Sequence, residues 1–146
     1  MTRRGKDTLT GDLFEVPQPA APIDASMDYR REVAALISKV LKEADIDRHD
    51  VAASMSRLSG REVSKYMIDA WCSESRDTYN MPFYEAAVLE TVCHSHALTN
   101  WLTCKRGAML LVGRDALNAE LGKLERLKGE AAAKIRDLKK MMGEEG

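Results

Sequence analysis

The residues best placed to do chemistry lie between Asp47 and Cys72. Ser64, Lys65, Tyr66 and Asp69 fall at the start of a short helical pattern, and Arg57 and Arg61 flank the glycine turn before it. Polar groups on the first turns of such a helix meet base edges in the major groove of DNA. The Ser64 hydroxyl and the N–H groups at that helix start suit a phosphate. Guanidinium groups at the turn suit phosphates as charge-assisted donors. Asp69 would read a cytosine amino group or repel a wrong base. Trp71 reads as core. The chemistry these residues point to is recognition rather than bond making.

Competing constellations are weaker. Cys93, His94 and His96, with Cys104 nearby, are zinc-ligand types, but they lack the paired spacing of structural zinc sites. No nucleophile–base set and no glycine-rich phosphate loop is legible. The expectation is therefore a non-enzymatic protein with no metal and no cofactor. Three cysteines without paired spacing argue against a disulfide framework.

The elements that must position these residues are helices. Apolar residues are mostly Ala, Leu, Val and Met, with only 5% aromatics, which favours an all-α fold. A first helix is expected from about Asp28, capped by that carboxylate, with Val33, Leu36, Ile37, Val40, Leu41 and Ala44 on one face. Asp47 caps a second helix over 48–59 that buries Val51, Ala52 and Met55. Gly60 supplies its left-handed terminus, and Ser64 caps a third helix that buries Val63, Met67, Ala70 and Trp71. After a polar loop, Asn80 and Pro82 open a fourth helix, with Phe83, Ala86, Ala87, Leu89, Val92 and Cys93 as its core. A fifth helix over 96–106 turns Leu98, Trp101 and Leu102 inward and stops at Gly107. Residues 109–112 read as an extended segment on the core. The expected fold is thus a helix-turn-helix-containing helical domain followed by a coiled-coil-like helix.

That last helix opens near Asp115. Leu117, Leu121, Leu124, Lys128, Ala131, Ile135, Leu138 and Met142 fall on an unbroken a/d heptad series. The stripe is narrower than a globular-domain face, which points to a dimerising helix and hence a homodimer. The alternative is one long helix packed on its own domain.

Residues 1–27 read as a tail. Pro17, Pro19 and Pro22 forbid a helix there, and Leu13, Phe14, Glu15 and Val16 form an apolar island that either folds back on the domain or docks elsewhere. The expected organisation is tail 1–27, helical domain 28–113 and C-terminal helix 114–146. No apolar run is long enough for a membrane span, and no secretory leader is legible, so a cytoplasmic protein with no membrane partner is expected. Net charge is only −1, unlike a strongly basic nonspecific binder. Over residues 47–76, Arg48, Arg57, Arg61, Lys65 and Arg76 are matched one for one by Asp47, Asp50, Glu62, Asp69 and Glu74.

Val51, Ala52, Met55, Gly60, Val63, Ser64, Met67 and Trp71 resemble the helix-turn-helix of phage lambda-repressor-like regulators. Residues 81–93, then Asn100 to Leu102 and Gly107, are similar to phage regulators of the CII type. The resemblance covers residues 47–112, and the whole chain resembles small early-region proteins of Mu-like transposable phages. It implies a sequence-specific regulator bound to double-stranded DNA. Two departures stand out: a turn longer than roughly three or four residues, and a recognition surface diluted by Asp69 and Glu74. The competing expectation is a protein-binding module that docks on a host or phage factor.

Overall fold

The computed structural model describes residues 17–76 and 78–143. The apolar island at 13–16 lies outside them. The fold is all-α, and the described residues hold six α-helices and one 3-10 turn. These are α1 (Arg30–Ala44), α2 (Arg48–Ser59), α3 (Lys65–Trp71), the 3-10 turn Phe83–Glu85, α4 (Ala86–Cys93), α5 (Ala97–Lys105) and α6 (Arg114–Met141). No helix among the described residues is long and apolar enough to cross a membrane. The chain divides into two compact units, one through Leu110 and one from Leu111 onward.

In the first unit the apolar stripe of α1 supplies Ile37, Val40 and Leu41 to a core completed by Val51, Met55, Ile68, Trp71, Leu89 and Leu98. Close packing of these side chains removes apolar surface from water, the main force holding the helices together. Packing between α2 and α4 is the most extensive, and α3 packs on α2 in turn.

Caps account for the helix ends. The Asp47 carboxylate accepts from the His49 N–H at 2.8 Å, and the Ser64 hydroxyl from the Met67 N–H at 3.1 Å. Gly60 ends α2 at φ +68°, and its N–H donates to the Ser56 carbonyl. The cap expected at Asp28 differs. α1 begins at Arg30, with Tyr29 as the residue before it and no side-chain cap. The Asp28 carboxylate instead pairs with the Arg30 guanidinium, at 3.0 Å from Nε. That charge partner holds its carboxyl below the usual aspartate range.

Phe83 is not core: it is 82% exposed. The sequence expectation carried the α-helical phase back to Pro82. The chain instead makes a 3-10 turn over Phe83–Glu85, with Pro82 before it. Its three-residue period breaks the 3.6-residue phase and turns Glu85 inward in place of Phe83. Ala87 is likewise exposed, and Leu102 is 41% exposed. Ile68, absent from the expected core of α3, is fully buried, whereas Met67 is half-buried. Met109 is exposed rather than laid on the core, and Leu111 and Val112, in the second unit, are exposed.

Between α1 and α5, Glu32 accepts from Trp101 Nε1 at 3.0 Å and pairs with Lys105 Nζ at 2.9 Å. The Trp101 ring meets Tyr29 edge-on at 5.3 Å. Gly107, at φ +70°, lies under the proline segment: a Cβ there would come within 2.6 Å of Pro19 Cδ.

In the second unit α6 is one continuous helix with no buried residue.

Candidate nucleic-acid interface

The site is the end of α2, the connection 60–64, and α3. Val51 and Met55 anchor α2 from below, and Ile68 and Trp71 anchor α3. Two hydroxyls hold the connection. Ser56 Oγ accepts from the Val63 N–H at 2.8 Å and lies 2.9 Å from the Ala52 carbonyl and 3.0 Å from that of Val63. A second hydroxyl, Ser59 Oγ, accepts from the Arg61 N–H at 3.3 Å. These bonds satisfy backbone groups that a loop would otherwise leave to water, and they set the angle at which α3 leaves α2.

The predicted site residues separate into two groups. Arg57, Arg61 and Tyr66 are exposed, while Ser64, Lys65 and Asp69 are half-buried. The Ser64 hydroxyl is engaged as the cap of α3. Asp69 is the centre of an ion triad, with Arg48 Nη1 and Lys65 Nζ each 2.7 Å from its carboxylate oxygens. Lys65 first, then Arg48, holds the Asp69 carboxyl below its ordinary range. The Arg48 guanidinium is pushed up in return by Asp69. Two cations share one anion, so the triad keeps a positive charge.

Exposed Arg61 and Arg76 each lie on an aromatic ring. Arg61 sits 4.8 Å over the Tyr84 ring and Arg76 sits 5.3 Å over that of Tyr66. Tyr79 lies 6.4 Å from Tyr66. These are two groups of guanidinium and phenol side chains, one at the connection and one at α3, with Tyr66 and Tyr84 65% and 60% exposed. Glu62 is exposed beside Arg61.

Sequence reasoning missed Arg48, Ser56, Arg76, Tyr79 and Tyr84 as members of this site. The sequence places Arg48 only in a charge balance, yet it crosses to Asp69 of α3. A serine one turn before the Gly60 terminus was the available signal for Ser56. For Tyr84 no local signal existed, because its partner Arg61 lies far along the chain.

The other candidate cluster disperses. Cys93 is buried, its thiol pushed up by that burial. His94 closes α4 as an exposed left-handed residue at φ +51°. Ser95 Oγ accepts from the Ala97 N–H at 3.1 Å and Glu90 from that of Thr99 at 3.1 Å, so these residues cap α5. Among the described residues no group of three or more His, Cys, Asp or Glu side chains gathers as a metal site.

No family model, no curated protein and no solved structure matches this chain.

Proposed function

We propose that this protein binds double-stranded DNA as a sequence-specific regulator, with the guanidinium–tyrosine surface around α3 as the contact face. The observation that carries the reading is those groups: Arg57, Arg61 and Arg76 are exposed, Arg61 lies over Tyr84, and Arg76 lies over Tyr66 with Tyr79 beside it. Guanidinium groups held on rings give up little side-chain freedom when they take a phosphate, and the rings add stacking surface. Arg57 and Arg61 hold phosphates, and Tyr66, with Lys65 beside it, faces base edges. The ion triad presents Asp69 already paired, so its charge repels a phosphate less than the sequence alone suggests. The resemblance of residues 47–112 to phage regulators supports the same reading, and with it a role in phage or prophage control. Purified protein mixed with sheared genomic DNA, recovered and sequenced, should enrich a short recurrent site. Even recovery of all fragments would remove the sequence-specific claim.

A second reading has its own observation. An apolar cleft of about 610 Å³ is lined by Val33, Met81, Phe83, Leu98, Trp101 and Leu102 among others. Exposed Phe83 and Leu102 at such a cleft fit a docking site for an apolar peptide of a protein partner. Loss of a captured partner on Phe83→Ala, with DNA recovery unenriched, would favour this reading.

A further inference from the structure

The second unit leaves an apolar seam uncovered. Leu117, Leu121 and Leu124 are 72, 56 and 53% exposed, and Ile135 and Leu138 are 53 and 56% exposed. A lone helix with such a stripe is marginal in water and gains its stability by covering it. The charges that flank it point to what would cover it. In the heptad register Leu121 and Lys128 occupy a positions and Leu124 and Ala131 occupy d positions. Glu120 and Lys134 are then at g, and Glu125 and Lys139 at e.

A parallel pair sets each g residue against the e residue of the next heptad. Glu120 would face Glu125, Lys134 would face Lys139, and Lys128 would meet its own copy in the seam. All of these repel. An antiparallel pair sets g against g and e against e. Glu120 then faces Lys134, and Glu125 faces Lys139, each twice by symmetry, and all four contacts attract. The same alignment stacks Leu121 on Leu138, Ile135 on Leu124 and Met142 on Leu117. Lys128 falls opposite Ala131, whose small side chain lets the lysine stem carry its ammonium to water. Leu127, 51% exposed at a g position, faces its own copy and widens the seam near the symmetry axis.

We propose that α6 pairs with α6 of a second copy of this chain as a symmetric antiparallel coiled coil in this register. The pairing stands independently of the DNA reading. At about 1.5 Å rise per residue, the two starts of α6 lie about 45 Å apart, at opposite ends of the pair. The two chains therefore leave the coiled coil toward residue 113 at opposite ends rather than side by side.

Sedimentation equilibrium of the full chain tests this, with far-ultraviolet circular dichroism to check that each variant keeps its helix content. The parent is expected to be a dimer at micromolar concentration. Glu120→Lys and Lys134→Glu each turn two attractions into two repulsions, so each should weaken dimerisation roughly tenfold. The combined variant restores opposite charges and should return to within about threefold of the parent. In a parallel pair each single change would instead create attractions and tighten the dimer. Tightening, indifference to both changes, or a monomer at all concentrations to about 100 µM would overturn the proposal.

Discussion

Arg48 and Asp69 stand on different helices with a charged nitrogen and a carboxylate oxygen 2.7 Å apart. The pair ties the first residue of α2 to the middle of α3, and Lys65 closes the triad from within α3. It sets the orientation of the helix that bears the candidate contact face, and it determines how much negative charge that face shows.

Replacement of Asp69 tests both roles. Its carboxyl is lowered in the fold by Lys65 and Arg48, so the charged form is the stabilising one. That contribution is present above the unfolded carboxyl value near ~3.9 and is lost as pH falls through the lower folded value. Asp69→Asn should therefore flatten the loss of stability below about pH 4 in acid titrations followed by circular dichroism. At neutral pH the cost should stay within about 1 kcal/mol, because the pair is partly exposed. The same variant frees two cations and should raise affinity for duplex DNA.

Ser56→Ala removes the acceptor of the Val63 N–H. Val63 is buried, so that donor has no ready replacement from water. A loss of about 1–3 kcal/mol is expected in urea unfolding, together with weakened DNA binding as the connection loosens.

Gly107→Ala meets two obstacles, a φ of +70° and a contact of 2.6 Å with Pro19 Cδ. The conformational part alone costs about 1–2 kcal/mol, and the contact adds to it. A chain lacking residues 1–19 should lose less stability on the same substitution than the full chain does. Equal losses in the two chains, by thermal unfolding, would show that the proline contact contributes nothing.

Phe83→Ala should leave stability within about 0.5 kcal/mol, because the ring is 82% exposed. A loss of several kcal/mol in urea unfolding would restore the ring to the core, where the apolar pattern first placed it.

The helices were legible in the sequence because their signals are local. The apolar stripe of α1, the caps Asp47 and Ser64 and the left-handed Gly60 each act within one turn of chain. Phe83 was misplaced because a 3-10 turn shifts phase without a distinctive composition. At the candidate site, the exposure of Arg57, Arg61 and Tyr66 matches what their types suggest. The engagement of Asp69 with Arg48, and of Arg61 with Tyr84, was not legible. Those contacts join helices or turns far apart in sequence, and no periodicity records them.

The most direct measurement is a salt titration of duplex binding, by fluorescence anisotropy, for the parent and for Arg57→Ala and Arg61→Ala. A protein that places guanidinium groups on phosphates releases counterions, so log affinity should fall linearly with log salt. Each substitution should weaken binding and reduce the magnitude of that slope by about one. An affinity flat in salt, or slopes and affinities unchanged by both substitutions, would contradict the assignment of this face to DNA.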